Sequence, residues 1–228
     1  MDLEPGRERH DCACPTEAEI ARHFDGKVAK RLAQRQDPGL VPISESLGEA
    51  LMSLDPSGRT VLELGCGRGG LLLRLMEAGA ARATGVDLSP ASIAAATDRF
   101  RQAKLSERVQ LSVGDAARVI LEPHDWVILD RVMCCYADVE RLLANSLPAA
   151  RRIYAFTVPT SRGWRGIAAR LMQRIEHAWD TLLSRRPCAG YVHDLDLIEK
   201  RMATAGFRQR HRDRQGLWHI AIYERTAS

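Results

Sequence analysis

Aromatic residues are scarce in this 228-residue chain: four Phe, four Trp and four Tyr, 5 % of the total. With so few, and none interleaved with a dense basic run, there is no stacking platform for single-stranded nucleic acid. The excess of 33 basic over 29 acidic residues, +4, is too small and too dispersed to be the electrostatic footprint of a nucleic-acid partner. No run of ~18 consecutive apolar residues occurs, which argues against a membrane-spanning helix. The first residues, MDLEPGRERHDCACP, are polar and lack the apolar centre of a secretory signal. The six cysteines (Cys12, Cys14, Cys66, Cys134, Cys135, Cys188) show neither C-x-x-C nor an extracellular spacing, so reduced thiols in a cytoplasmic protein are the simplest reading. What is present is ordinary globular composition, 45 % apolar and 27 % charged. The length suits one full domain, which needs no disulfide or metal to hold its core.

Along the chain, residues 1–15 lack apolar periodicity and read as a flexible tail. Thr16 and Glu19 form a capping-box pattern, and Ile20, Phe24, Val28 and Leu32 recur at helical spacing until Asp37-Pro38-Gly39. A second helix reads from Ser44 to Leu54, so residues 16–58 form an N-terminal helical cap. From Thr60 the chain alternates. Thr60–Leu64 reads as a buried strand, and Ala83–Asp87, Val109–Val113, Trp126–Leu129 and Arg152–Thr157 as further strands, separated by helices that include Ser89-Pro90 to Gln102 and Val139 to Ser146. That rhythm predicts an α/β domain over 59–228 with a doubly wound, Rossmann-like, mostly parallel sheet. Phe207–Arg212 and Leu217–Tyr223 read as a C-terminal antiparallel hairpin linked through Asp213–Gly216, bringing the sheet to seven strands. A long helix, 163–184, carries Trp164, Ile167, Leu171, Ile175, Trp179 and Leu182 on one stripe among arginines. It is expected to pack on the sheet or to cover the cleft as a lid; peripheral contact with anionic lipid is the alternative.

Glu63-Leu64-Gly65-Cys66-Gly67-Arg68-Gly69-Gly70 lies between a strand and a helix, where glycines let the backbone turn sharply and approach a ligand. Gly65, Gly67 and Gly70 satisfy the dinucleotide fingerprint G-x-G-x-x-G. Gly65, Gly67 and Gly69 satisfy E/D-x-G-x-G-x-G. The loop by itself leaves both open. Asp87, at the end of the second strand, suits ribose hydroxyls in either case. Asp115 after the third strand suits an adenine amino group, and a carboxylate at Glu63 would repel a pyrophosphate.

With those motifs in their order, residues 60–158 resemble the core of class I S-adenosylmethionine-dependent methyltransferases. Phe24-Asp25-Gly26, Tyr191-Val192-His193 and the long helix before them are similar, in short scattered matches, to magnesium-protoporphyrin O-methyltransferases and their uncharacterised relatives. The resemblance implies S-adenosylmethionine as cofactor. Glu63 and the Gly65, Cys66, Gly67 and Gly69 backbone would face its methionine end, Asp87 its ribose, and Leu88, Asp115 and Ala116 its adenine. Asp130, at the end of the fourth strand, would lie near the transferring methyl.

The acceptor is expected to be a small, at least partly apolar molecule, with Asp130, Tyr136 and His193 as candidate catalytic residues. Asp130 could instead pair with Arg131, Tyr136 could be a packed ring, and His193 could be a surface or capping group. No metal is expected: metal-dependent catechol methyltransferases need several acidic and amide ligands near Asp130, and none accompanies it. Cys134-Cys135, with Cys12 and Cys14, invite a thiolate site for zinc or a soft substrate, against the plainer reading of small buried hydrophobes. No Asn/Asp-Pro-Pro-Tyr/Phe segment marks a nucleic-acid amino group as acceptor. An NAD(P)-dependent oxidoreductase is a rival reading without a Tyr-x-x-x-Lys pair to support it. A cofactor-binding sensor or scaffold is a second rival. Oligomeric state is not legible.

Overall fold

The computed structural model describes residues 17–33, 39–164, 166–168, 170–173, 175 and 190–226. Seven strands form one sheet: β1 (Thr60–Leu64), β2 (Arg82–Asp87), β3 (Val109–Val113), β4 (His124–Leu129), β5 (Ala150–Pro159), β6 (Phe207–Gln215) and β7 (Trp218–Arg225). Their order is β3-β2-β1-β4-β5-β7-β6. The first five run parallel, and β7 is antiparallel to both β5 and β6. The expected doubly wound α/β architecture is therefore present, with β7 as the reversed strand.

Among the described residues, six α-helices with full boundaries accompany the sheet: α1 (Glu17–Ala33), α2 (Pro42–Met52), α3 (Gly70–Glu77), α4 (Pro90–Gln102), α5 (Val139–Ser146) and α6 (Leu195–Thr204). Alternation along each strand sends side chains to two cores. On one face Leu62, Leu64, Leu129, Tyr154 and Phe156 pack against Leu142 of α5 and Ile198 of α6. On the other, Val61, Trp126, Ile128 and Ala155 pack against Leu47 of α2 and Leu72 of α3. Because the chain goes from β1 to β2 and β3 on one side, then returns to β4 on the other, a crevice opens between the carboxyl ends of β1 and β4.

Two expectations are corrected. First, α2 begins at Pro42 rather than Ser44, since proline at the first helical position pre-sets the backbone. Second, the hairpin strands extend through the polar Asp213–Gln215 segment, leaving a link of Gly216 and Leu217. Edge strands tolerate polar side chains because ladder pairing is made by backbone. The expected helix 163–184 is described only in part. Its described part, within 163–175, leaves Trp164 at 73 % and Ile167 at 69 % exposure, with Leu171 and Ile175 also exposed. The faces of β5 and β7 are already covered, by α5 and α6 on one side and α2 on the other. Trp179, Leu182 and the capping residue Thr16 lie outside the described residues. No helix among the described residues is long and apolar enough to cross a membrane.

Candidate active site

A cavity of about 410 Å³ opens at the carboxyl ends of β1, β2 and β4 and is roofed by the N-terminal helices. This volume is in the usual range for small-molecule sites. Ile20, Phe24 and Val28 of α1 form an apolar wall, and α2 contributes Ser44.

The glycine loop forms its floor. Gly65, Gly67 and Gly69 have φ of 71°, 53° and 71°, the left-handed region; Gly70 begins α3 instead. The backbone therefore needs the 65/67/69 spacing. A Cβ on Gly65 would clash with Val132 Cγ2, so the loop and the segment after β4 interlock there. Gly67 and Cys66 line the cavity, whereas Gly69 lies against Phe100 and Ala96.

Glu63 projects from β1 into the floor, only 3 % exposed, and its Oε2 has no hydrogen-bond partner. Burial pushes its carboxyl well above the usual carboxylate range; the nearby Asp130 and, less strongly, Asp87 push the same way, against the Leu72 N–H. The same burial, with Glu63 as the next cause, raises the Cys66 thiol. A buried carboxylate oxygen left open is a seat for a cation.

Asp87 closes β2. Its Oδ2 accepts the Gly67 N–H at 2.8 Å and its Oδ1 the Ser89 N–H at 2.9 Å. Burial raises its pKa, and those two N–H donors work against the shift. Its loop is tied to α1. Asp25 accepts hydrogen bonds from the Ser89 hydroxyl and from the Ala91 N–H at 3.1 Å, while Ser89 itself caps α4 through Ser92.

At the end of β4, Asp130 accepts from the Ser44 hydroxyl and, at 2.7 Å, from the Thr157 hydroxyl. Thr157 in turn accepts the Arg131 N–H at 2.8 Å. The Arg131 backbone has φ of 57°, a position that costs energy for a residue with a side chain and so marks a held turn. Its guanidinium lies 5.7 Å from the Trp218 ring centre.

Other expected residues sit differently. Leu88, Gly114 and Ala116 line the cavity, but Asp115 is not among its lining residues. Its carboxylate accepts from the Tyr136 hydroxyl at 2.7 Å and the Ala117 N–H at 2.9 Å, and pairs with Arg118 at 3.2 Å. Its link to the cavity runs through Tyr136, whose oxygen also accepts the Ala116 N–H at 3.2 Å. Burial first, then that bond to Asp115, drives the Tyr136 pKa far up. A phenol so held positions Asp115 and is unsuited to taking a proton at neutral pH. His193 bonds the Met133 carbonyl at 2.9 Å, outside the lining residues, and burial lowers its pKa. It braces the segment after β4, because the chain before α6 returns beneath that segment, where the Tyr191 N–H also bonds the Cys134 carbonyl at 2.7 Å.

Sequence reasoning missed Ser44, Asp25 and Thr157 as site-building residues. Ser44 and Asp130 are 86 positions apart, and no local signal ties them. Among the described residues no group of three or more His, Cys, Asp or Glu is placed to hold a metal ion; Cys12 and Cys14 lie outside them.

This geometry suits a cofactor bearing a cationic amine and a ribose. Residues 61–159 match the family model described as a methyltransferase domain. Among curated proteins, the chain is 38 % identical over 81 residues to the ribosomal protein L11 methyltransferase of Yersinia pseudotuberculosis serotype O:1b, covering 33 % of this chain and 28 % of that protein. It thus spans little more than a quarter of the length of such relatives. Among solved structures, magnesium protoporphyrin IX methyltransferase from Synechocystis PCC 6803 with bound SAH superposes with a TM-score of 0.71 at 15 % identity, over 92 % of this chain and 100 % of that one. The [4+2]-cyclase SpnF superposes at 0.67 and 14 % identity, over 94 % and 98 %. Geranyl diphosphate methyltransferase, in complex with GPP and sinefungin, gives 0.67 at 15 % identity, over 92 % and 99 %. Likeness at these identities establishes the fold, and one fold hosts several chemistries.

Proposed function

We propose that this protein transfers a methyl group from S-adenosylmethionine to a small, partly apolar acceptor by in-line displacement. The observation that carries the reading is Glu63, a buried carboxylate facing a cavity with one oxygen unpartnered. When bound, the sulfonium cofactor supplies the electrophilic methyl. Glu63 would hold its ammonium and Asp87 its ribose hydroxyls. Leu88 and Ala116 would flank the adenine, with Asp115 acting through Tyr136.

The remaining work is positioning. Asp130, held by Ser44 and Thr157, orients the acceptor or the cofactor amine. The apolar wall from α1 excludes water and aligns the acceptor. Residues 16–58 thereby serve as the cap of the site. A general base is required only for an acceptor protonated at working pH, and Tyr136 and His193 are better suited to bracing. Acceptors such as the porphyrin and geranyl diphosphate named for two fold neighbours fit a partly apolar class.

Calorimetric titration with S-adenosylhomocysteine, with NAD and NADP in parallel, tests the cofactor. Saturable one-site binding of the first alone is expected; binding only to a nicotinamide cofactor would overturn the reading. Labelled methyl transfer into a small-molecule extract then separates an enzyme from a sensor, since a sensor binds without consuming the cofactor.

A further inference from the structure

Cys134 and Cys135 have no part in the proposed methyl transfer, yet both line the cavity. They are consecutive, in a short 3₁₀ turn (Met133–Cys135) that follows the left-handed turn at Arg131. Both sulfurs approach one atom, the Arg131 carbonyl oxygen, at 3.5 Å and 3.8 Å. That convergence sets the two thiols side by side, and neither is in a disulfide.

Two thiols are too few for a structural zinc, which takes four ligands, and no third His, Cys, Asp or Glu among the described residues joins them. A soft trivalent centre with one organic substituent and two exchangeable oxygens needs only two sulfurs. We propose that Cys134 and Cys135 form a dithiol site in the cavity wall for a trivalent organoarsenical.

Both thiols react with the dihydroxy form, R–As(OH)2. Two As–S bonds form and two As–O bonds break. Each thiol proton leaves with a hydroxide as water, and arsenic stays trivalent, so no oxidant or reductant is involved. The attacking group is a thiolate. The hydrogen bond from the Cys135 thiol, helped by the Arg131 guanidinium, lowers the pKa of Cys134 despite burial. Cys135, the donor in that pair, is raised. The organic substituent has apolar room beside Phe24 and Val28.

The test treats the reduced full chain with one equivalent of phenylarsine oxide and reads intact mass and peptide mapping. The expected adduct is one phenylarsenic group with loss of two hydrogens, located on a peptide containing both cysteines. It should be released by a dithiol but persist in an equal concentration of a monothiol. Cys134→Ser and Cys135→Ser should each lose the dithiol-specific adduct, and Cys12→Ser/Cys14→Ser should keep it. An adduct mapping to Cys12 and Cys14, or release by monothiol and dithiol alike, would overturn the proposal. Mapping on the unaltered protein keeps the test decisive even if a serine variant folds poorly. The site does not depend on the cofactor reading, and its result leaves that reading untouched.

Discussion

A carboxylate buried without a cation is destabilising in the ligand-free protein, and Glu63 occupies that position at the floor of the cavity. With its folded pKa raised, chiefly by burial, stability falls as pH rises from the ordinary carboxylate value toward the raised one. Glu63→Gln should remove that slope, so ligand-free melting temperature becomes flatter with pH. The same substitution should weaken S-adenosylhomocysteine binding by about 1.5–3 kcal/mol, the scale of a hydrogen bond to a charged group. In the unaltered protein, affinity should drop on acidification at a pH above the usual carboxylate range, because only the ionised form pairs with an ammonium. Calorimetry across pH reads both effects; an unchanged affinity in folded Glu63→Gln would remove the residue from the cofactor site. Asp130→Asn should lower turnover more than cofactor affinity, since its partners Ser44 and Thr157 fix its side chain in the cavity wall. Equal losses in both would mean that it acts on binding.

Two elements meet where Asp25 of α1 bonds the first residues of α4. This contact acts as a second cap on a helix that Ser89 already caps locally. Asp25→Ala should cost about 1 kcal/mol of stability and speed amide exchange at Ala91, with weaker cofactor binding because the Asp87 loop is adjacent. Unchanged exchange there would show that α1 is not anchored through this residue. Gly65→Ala should be more damaging. It combines a left-handed backbone, which costs a side-chain-bearing residue about 1–2 kcal/mol, with the clash on Val132. Pairing it with Val132→Ala should recover only the clash portion of the lost melting temperature. At this scale β1, β3 and α5 were legible in full, because residue type and spacing within each element are local signals. The start of α2 was not, because the apolar spacing reads from Ser44 while Pro42 dictates the start. The solvent-facing stripe at Trp164 and Ile167 was not either, since periodicity identifies an apolar face but not what remains for it to cover.

For the whole molecule, acid sensitivity should centre on His219 of β7, on the face shared with Phe156 and α6. It is 6 % exposed and its Nε2 has no partner. Burial, then Arg212, with Arg162 and Arg214 adding, lowers its pKa to about 4 against the opposing pull of Glu199. The unfolded chain therefore binds the proton first as pH falls below about 6.5, and stability is lost progressively down to about pH 4. The ceiling is on the order of a few kcal/mol, at about 1.4 kcal/mol for each tenfold difference in proton affinity between the folded and unfolded chain. Solvent screening of the arginine charges brings the loss below that ceiling. Urea midpoints for His219→Gln should fall less steeply over that window; an identical slope would place the acid sensitivity elsewhere.

The sequence by itself determined the alternation of strands and helices, the glycine loop after β1 and the acids at the strand ends. Each depends on periodicity, turn chemistry or spacing within a few residues. Only the tertiary structure decided which acids reach the cavity. Glu63 and Asp87 line it, while Asp115 is held by Tyr136, Ala117 and Arg118. It also decided that Asp130 is held by hydroxyls from α2 and β5, and that Cys134 and Cys135 face the same space as the glycine loop. These pairings join residues far apart in the chain, and the physical reason lies in the sheet. The crossover from β3 back to β4 sets the end of β4 beside the end of β1, and only then do burial and charge act on these groups together.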